Sequence, residues 1–206
     1  MEVITICGRY TVFTEEEIIE MRAIIDEIGR RFGPEAIKTG EIFPTNTAPV
    51  LTLNDHRLAP LPVAWGFPHW DGKGRPIINA RSETALEKRM FSKPLLTRRC
   101  VIPSTGFFEW SHVDGKAKKD KFLFRRPGEK MLYMAGMVDA LKGKDGVVRD
   151  TFVILTTRAN ASMSPFHDRM PVVLSPDERE DWLDSDAFMR LVLARDGPEL
   201  IWEKAG

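Results

Sequence analysis

The chain has 206 residues, of which 43% are apolar and 29% charged, and its 30 basic and 30 acidic side chains give a formal net charge of zero. This composition is typical of one globular domain with a sizeable core. No apolar run approaches the roughly 20 residues of a membrane span, and Met1–Ile6 lack the basic region and cleavage site of a signal peptide. Two cysteines are too few for a disulfide scaffold or a four-cysteine zinc site. We therefore expect a monomeric, cytoplasmic protein.

Positive charge is concentrated in the middle of this neutral chain. Eight basic residues accompany two acidic ones between Lys73 and Arg99, and six accompany one between Lys116 and Arg126. An anionic partner could bind this region, although two solvated basic faces are the commoner explanation of such a pattern.

Helical patterns occur near both ends of the chain. The first is an apolar stripe with spacings of three and four residues, preceded by Thr14 and Glu17 at capping-box spacing and ended by Gly33. We predict helices that cover, or begin at, the following positions: 14–32, 83–92 with Ser82 as its cap, Ser175-Pro176, and Asp184-Ser185.

Short apolar segments between these helices predict β-strands. They cover 99–103, 107–110, 121–125, 131–138, 151–156 and 171–174. Consecutive strands with helices at both ends predict an α+β fold with a mainly antiparallel, barrel-like β core and flanking helices.

Four segments combine polar side chains with turn residues and are candidates for chemistry. They are 7–10, 79–84, 103–110 and 167–171. In the first, Cys7 is either a small buried hydrophobe or a nucleophile whose thiolate is assisted by Arg9. Cys100 lies in a predicted strand beside Val101, and this setting favours core packing.

Two titratable residues in these segments are candidates for proton transfer. His167 precedes Asp168, which could orient its ring, and imidazole exchanges protons near neutral pH. Glu109 lies in an aromatic strand and faces either water or an aromatic pocket that would raise its pKa. His56, His69 and His112 have no metal-ligand spacing with His167, so we predict no metal.

Binding residues are predicted in the neighbouring segments. If 79–81 is extended, Asn79 and Arg81 point to the same side and suit a phosphate or a carbonyl oxygen. Trp65 and Trp70 lie just upstream of the basic stretch, and aromatics beside a basic groove are typical of single-strand binding. The structural alternatives are that 79–81 is a helix-entry loop and that the two tryptophans are core residues.

Together the four segments resemble the SRAP family, the SOS response-associated peptidase-like proteins that shield abasic sites in single-stranded DNA. The chain also has the family's Ala-Pro turn at Ala48-Pro49 and its Trp-Gly motif at Trp65-Gly66. These six motifs occur in the family's order from Cys7 to about Trp182.

The resemblance implies a barrel-like α+β fold that needs no cofactor or metal, and a partner that is single-stranded DNA containing abasic sites. It implies that the amine and thiol of an N-terminal cysteine, here Cys7, condense with the sugar aldehyde to give a thiazolidine. Asn79 would position this cysteine, and Glu109 and His167 would transfer protons. The implied phosphate ligands are Arg9, Arg81 and Arg169.

One feature departs from the family, because Cys7 follows Ile6 rather than Met1. Removal of the initiator methionine therefore cannot expose its amine. We divide the chain into a leader over 1–6, removed or foreign to the native protein, and a single SRAP-like domain over 7–206. Two alternatives to abasic-site capture stay open: a cysteine peptidase or autopeptidase using Cys7, His167 and Glu109 or Asn79, and a non-catalytic single-stranded DNA-binding module.

Overall fold

The computed structural model describes residues 8–13, 18–69, 73–111, 120–143 and 145–205. The strands in these ranges are β1 (Tyr10–Val12), β2 (Gly40–Ile42), β3 (Thr47–Asn54), β4 (Arg57–Trp65), β5 (Asn79–Arg81), β6 (Arg99–Ser104), β7 (Gly106–Trp110), β8 (Lys121–Arg125), β9 (Leu132–Lys142), β10 (Val148–Arg158), β11 (Arg169–Pro171), β12 (Val173–Leu174) and β13 (Ile201–Ala205). The α-helices are α1 (Ile19–Phe32), α2 (Arg89–Thr97), α3 (Arg179–Asp184) and α4 (Asp186–Ala194).

Five strands close on themselves to form a barrel, in the order β10-β4-β3-β6-β9 and back to β10. β4 runs parallel to β10, and the other barrel neighbours are antiparallel. All of β6 and the first seven residues of β9 are buried, since α3 packs against β6 and α2 against β9. Burial on both faces explains their nearly continuous apolar sequences. The fold confirms the predicted α+β architecture with a mainly antiparallel, barrel-like core.

A second, fully antiparallel sheet is attached to the barrel, in the order β13-β8-β7-β1-β2. The chain passes from β6 of the barrel into β7 of this sheet at Thr105, whose hydroxyl oxygen lies 2.7 Å from that of Thr11 in β1. Gly106 follows with φ of +149°, and a Cβ there would lie 2.7 Å from the carbonyl oxygen of Phe124. Glycine is therefore required where the chain crosses between the sheets.

A buried arginine at the start of β6 fastens the flanking helices to the barrel. The Arg99 guanidinium donates hydrogen bonds to the carbonyls of Leu95 near the end of α2 and of Trp182 in α3, and to the Asp186 carboxylate in α4. The last carbonyls of a helix lack partners within the helix and favour a cation. One side chain thus satisfies groups from three helices.

Three of the four predicted helices are confirmed, with shifted boundaries. α1 begins at Ile19, and the proposed capping box at 14–17 lies outside the described residues. Ser175 and Glu178 form a capping box on a single 3₁₀ turn that leads into α3. The hydroxyl of Ser185 accepts a hydrogen bond from the backbone N–H of Phe188 at the start of α4. No helix in the described ranges has the length and apolarity that a bilayer span demands.

The helix predicted over 83–92 is wrong, because 82–88 forms turns and the helix begins at Arg89. The backbone N–H of Ser82 donates to the carbonyl of Thr156 at 2.8 Å, which continues the β5–β10 ladder beyond Arg81. The Glu83 carboxylate is then held by Arg169. These tertiary contacts hold the first residues of the apparent helix in another conformation.

The predicted strands are all present, although 171–174 is divided between β11 and β12. Six further strands, β1 to β5 and β13, were not predicted. Prolines explain part of this omission, since Pro49 in β3 and Pro62 in β4 lie opposite each other. Proline cannot donate to a ladder, and an antiparallel pair leaves every second opposed position without such hydrogen bonds.

The ion pair between Arg195 and Glu178 makes a testable contribution to stability against acid. The Arg195 guanidinium and the Ser175 backbone N–H donate to the Glu178 carboxylate, and Arg195 above all lowers the pKa of Glu178 to about 2. A depressed folded-state pKa stabilises the protein above the unfolded value, and this stabilisation is lost as pH falls through the folded value. We expect Glu178→Gln to lower the free energy of unfolding by about 1–2 kcal/mol at pH 7, allowing for solvent screening of a partly exposed pair.

Urea unfolding of the wild type and Glu178→Gln between pH 7 and pH 2 would measure this difference. The gap should be constant above about pH 5 and should close toward pH 2. Glu199→Gln, which changes an exposed glutamate, is the matched control and should leave stability unchanged. A difference in the free energy of unfolding that stayed constant down to pH 2 would contradict the assignment of this stabilisation to the Glu178 carboxylate.

Candidate functional site

The motif-bearing segments of the sequence come together in the fold through direct contacts. The Tyr10 ring packs edge-on against Trp65, with ring centroids 5.1 Å apart. The indole N–H of Trp65 donates to the carbonyl of Ile78 at 3.1 Å, directly before Asn79. The backbone N–H of Phe108 donates to the carbonyl of Arg9 at 2.9 Å. The N-terminal strand β1 therefore pairs directly with β7 and is connected to the start of β5 through Trp65 of β4.

The second sheet has two distinct faces, because directly opposed residues of an antiparallel pair point to the same side. One face carries Glu109 and neighbours from β1, β7, β8 and β13; we call it the Glu109 face. Its described members include Tyr10, Phe107, Glu109, Phe122, Phe124, Trp202 and Lys204. The other face, which we call the Arg9 face, carries Arg9, Thr11, Glu41, Phe108, Trp110 and Lys121.

Glu109 lies within an aromatic environment rather than on a wet strand face. Its side chain is only 3% exposed, and its partner across the ladder is Phe122. Phe107, two residues away on the same face, stacks on Phe124 with centroids 5.2 Å apart. The burial of Glu109 excludes the water-facing setting that the sequence left open.

His167 is brought to this face by the residue before it. The Phe166 ring packs against Phe122, Phe124 and Trp202, at centroid distances of 4.9, 5.0 and 5.1 Å. Since Phe122 is the ladder partner of Glu109, the loop that carries His167 is fastened beside that glutamate. The histidine side chain is itself 8% exposed.

The His167 ring makes two contacts through the same nitrogen atom. Its Nδ1 accepts the backbone N–H of Arg169 at 3.0 Å, which requires an unprotonated Nδ1. The same atom lies 2.8 Å from an Asp168 carboxylate oxygen, a contact that favours a protonated Nδ1. The two contacts need different proton positions at Nδ1, and the second is satisfied by the neutral Nδ1–H tautomer as well as by the charged ring.

β5 presents a polar edge next to this loop, which selects the extended alternative for 79–81 over the helix-entry loop. Asn79, Ala80 and Arg81 are extended, and Ala80 is 2% exposed, so the amide and the guanidinium point to the other side. The Arg81 side chain is exposed. Its parallel ladder partner is Thr156, which also receives a hydrogen bond from Arg169. An exposed cation thus lies beside the His167 loop.

Arg169 is a bridge between segments in this structure rather than an open phosphate ligand. Its guanidinium contacts both carboxylate oxygens of Glu83 and donates to the Thr156 carbonyl at 2.7 Å. The side chain is 11% exposed, and its hydrogen bond lowers the pKa of Glu83. The ion pair between Arg169 and Glu83 therefore links the His167 loop to the 79–84 segment.

The predicted base-stacking role of Trp65 is wrong, because the side chain is completely buried. Tyr10 packs against its edge and Phe152 stacks on it with centroids 6.2 Å apart. Both ring contacts and the indole hydrogen bond belong to the core. Trp70, the other tryptophan in the prediction, lies outside the described residues.

Arg9 lies on the opposite face of its sheet from Glu109. Its guanidinium is 3.2 Å from the Glu41 carboxylate and stacks over Phe43 and Trp110 at 4.2 and 5.0 Å. Lys121 shares the same carboxylate. The predicted phosphate contact of Arg9 therefore requires DNA that reaches the Arg9 face of the sheet, or exchange of the Glu41 ion pair.

The structure describes only one of the two cysteines. Cys7 lies outside the described residues, and the description begins at Gly8. Cys100 is completely buried in β6, and desolvation raises the pKa of its thiol far above the usual range. This confirms Cys100 as a core residue and leaves Cys7 as the candidate nucleophile. Within the described ranges, no three His, Cys, Asp or Glu side chains are grouped closely enough to hold a metal ion.

Sequence analysis missed three aromatic residues that shape the site. Phe122 and Phe124 alternate along β8, a period-two pattern that indicated a strand but not which face it would present. Trp202 lies in β13, a strand that the sequence did not predict. The sequence there shows only an isolated Ile-Trp pair after Pro198, which is too short to predict a strand.

The chain is similar to known proteins over most of its length. A family model described as SOS response associated peptidase (SRAP) matches residues 6–199. The abasic site processing protein YoqW of Bacillus subtilis is 37% identical over 190 residues, which cover 86% of this chain and 80% of that protein. YedK of Escherichia coli, also named an abasic site processing protein, is 34% identical over 180 residues, covering 86% of this chain and 79% of its own.

Solved structures agree with this similarity. A protein of Bacteroides thetaiotaomicron superposes with a TM-score of 0.72 at 25% sequence identity, over 96% of this chain and 91% of that one. A protein of Bordetella bronchiseptica superposes with a TM-score of 0.73 at 20% identity, over 97% of this chain and all of that one. By the family model and its curated relatives, the chain belongs to the SRAP family.

Proposed function

We propose that this protein processes abasic sites in DNA, and that it captures them in single strands through a covalent bond to Cys7. The observation that carries the proposal is the convergence of three motif segments through direct contacts: Glu83 pairs with Arg169, Phe166 packs against β8, and β7 pairs with both β8 and the strand that follows Cys7. Membership of a family whose relatives are named abasic site processing proteins supports the substrate. The bond between Cys7 and Gly8 ties the cysteine to this convergence.

The chemistry of an abasic site favours an N-terminal cysteine as its trap. The ring-opened sugar is an aldehyde, and an imine forms from a neutral amine. At pH 7.5 about a third of an α-amine with a pKa of about 7.7–8.0 is neutral, against roughly one in a thousand lysines. The terminal amine is therefore several hundred-fold better populated for the first step.

The thiol of the same residue then makes the product stable. The amine adds to the aldehyde carbon, the resulting hydroxyl leaves as water, and the thiol adds to the imine carbon to close a five-membered thiazolidine. The thiol proton passes to the nitrogen. Ring closure is intramolecular, so proximity favours it strongly.

The remaining residues of the site have roles that follow from their positions. Glu109 in its apolar setting can give a proton to the departing hydroxyl, and His167 can accept the thiol proton. Asn79 lies on the polar side of β5, where its amide can orient the cysteine. Arg81 on the same side offers an exposed cation to a phosphate.

A second reaction is suggested by the six residues that precede Cys7. The Cys7 thiol would add to the Ile6 carbonyl, and the Cys7 nitrogen would leave as a protonated amine. Water would hydrolyse the resulting thioester and release the leader as a carboxylic acid. This autopeptidase step uses the same nucleophile and would expose the amine that capture needs.

The proposed function is tested with protein that begins at Cys7 and a single-stranded oligonucleotide containing one abasic site. We expect an adduct that survives denaturing electrophoresis. The matched DNA control carries a tetrahydrofuran residue, which lacks the aldehyde, and should give none. A duplex with the same lesion should react more slowly, because its sugar is less accessible. Binding without any adduct on the aldehyde substrate would favour the non-catalytic DNA-binding module instead.

Arg81 separates binding from chemistry in the same assay. Arg81→Ala should weaken binding to all single-stranded sequences by a similar factor, because phosphates carry no sequence information. The slope of log affinity against log salt should fall by about 1. Arg57→Ala, which removes an exposed arginine from the far hairpin between β3 and β4, is the matched control. Loss of affinity confined to one base sequence would contradict the phosphate assignment.

A further inference from the structure

The C-terminal strand β13 carries an aromatic side chain that the proposed chemistry does not use. Trp202 is 51% exposed, although Trp65 and Trp182 are completely buried. Its ring packs edge-on against Phe122 and Phe166, with centroids 5.3 and 5.1 Å away. The indole is thus held in place on one side and open to solvent on the other.

The position of Trp202 relates it directly to the candidate site. It lies opposite Phe124, and therefore on the Glu109 face of the sheet. The ring that supports it, Phe166, belongs to the loop that carries His167. With neighbouring strands about 4.8 Å apart, β13 lies about 10 Å from β7 across β8. This separation places the indole beside the nucleotides that flank a lesion held at Glu109.

The surroundings of Trp202 suit a nucleotide. Lys204 follows on the same face, and its ammonium is 2.9 Å from the Asp120 carboxylate with the side chain 64% exposed. A rigid half-exposed indole with a cation two residues away is the combination that binds single strands, because the base stacks and the phosphate meets the charge. The ion pair with Asp120 reduces the net positive charge at Lys204, so we expect base stacking to contribute more than the phosphate contact.

We propose that Trp202 is a stacking position for a nucleobase next to the abasic site, a role that rests on the proposed function. An abasic nucleotide has no base of its own, so any base stacking beside the lesion must come from its neighbours. Every base has an aromatic face, so a stacking platform tolerates any sequence. The strand that carries this residue lies at the edge of the sheet, where a single strand can reach it.

The proposal is tested by removing the aromatic ring and the base independently. Trp202→Leu keeps an apolar contact with Phe122 and Phe166 but offers no aromatic face. We expect it to bind lesion-containing single strands about 5- to 150-fold more weakly, the equivalent of about 1–3 kcal/mol per stacked base. Trp202→Phe should recover much of the affinity. Ile201→Ala, on the other face of the same strand and also half exposed, is the matched control and should bind as the wild type does.

The stacked base is identified by replacing each base beside the lesion, one at a time, with a tetrahydrofuran residue. At one position the wild type should lose affinity and Trp202→Leu should lose none, because the interaction is already absent. Equal losses for both proteins at every position would overturn the proposal. Thermal unfolding of each variant separates detachment of β13 from loss of stacking.

The same experiment distinguishes this inference from the proposed function. At saturating DNA, Trp202→Leu should still form the covalent adduct, since the residue binds a neighbour and not the reacting sugar. If the wild type forms no adduct, the capture chemistry is wrong, while the base-replacement cycle still reports on Trp202 through reversible binding. If the adduct forms and the cycle shows no coupling, only the stacking assignment fails.

Discussion

Protein that begins at Cys7 is expected to form a stable adduct with abasic single-stranded DNA, and protein that keeps Met1–Ile6 is expected to bind the same DNA without one. The leader converts the Cys7 amine into an amide, and an amide nitrogen does not form an imine. The thiol alone could add to the aldehyde only reversibly. The expected change in stable product is therefore from near complete to none, the largest effect of any change considered for this protein.

Cys7→Ser in the protein without a leader separates the amine from the thiol. Serine keeps the α-amine but its hydroxyl closes the ring poorly, so the imine should hydrolyse and no stable adduct should remain. Borohydride should rescue a covalent product from this variant by reducing the imine to an amine. Cys100→Ser is the matched control, because that thiol is completely buried, and it should leave the adduct yield unchanged in folded protein.

The measurement is the intact mass of each protein before and after incubation with the oligonucleotide. Mass also reports whether the full-length chain removes its own leader, which Cys7→Ala, Glu109→Gln and His167→Ala should prevent. A stable adduct on protein that demonstrably retains Met1–Ile6 would exclude the amine mechanism. The nucleophile would then be the thiol or a lysine.

The barrel and most of its strands could be predicted from sequence because their burial leaves a direct compositional trace. β6 and β9 are buried on both faces and read as apolar runs. β3 and β4 share the same barrel but contain prolines, which argue against a central strand. Only the register that sets Pro49 opposite Pro62 shows how the ladder accommodates them. That register is a property of two segments together, and neither segment reveals it alone.

The candidate site was predicted unevenly for a related reason. The burial of Cys100 follows from local pattern and is confirmed, whereas the extended geometry of 79–81 was one of two alternatives that the sequence left open. The face of β7 that carries Glu109 depends on β8 and on the loop at Phe166, which lie far away in sequence. Trp65 was assigned to DNA because it precedes a basic stretch, but its neighbours in space are Tyr10 and Phe152. Proximity along the chain is weak support for a shared surface.

Glu109→Gln and His167→Ala are each expected to slow adduct formation by about 10²–10⁴-fold at saturating DNA, with affinity for the DNA largely retained. Loss of water from the first addition product needs a proton donor, and thiol addition needs a proton acceptor. The carboxamide introduced by Glu109→Gln has the shape of the native side chain without its titratable proton, so the change leaves no cavity in the apolar setting. Single-turnover rates with protein that begins at Cys7 measure the effect directly.

The two residues are fastened to each other through Phe166 and Phe122, so their effects should not be independent. The double variant should be faster than the product of the two single losses predicts, because groups that act on one proton path are not additive. Glu203→Gln, an exposed glutamate in β13, is the matched control for the carboxamide change and should react at the wild-type rate.

A structural effect of His167→Ala must be separated from its effect on chemistry. Removing the ring leaves the backbone N–H of Arg169 without its Nδ1 acceptor, which costs about 1–3 kcal/mol when such a group is buried. His167→Asn supplies an amide oxygen near the same place but cannot exchange a proton near neutral pH. If the loss of rate comes from proton transfer, His167→Asn should be as slow as His167→Ala while regaining stability. Rates equal to the wild type in Glu109→Gln and in both His167 variants would show that neither side chain handles a proton in this reaction, and would leave water or the Cys7 amine itself to do so.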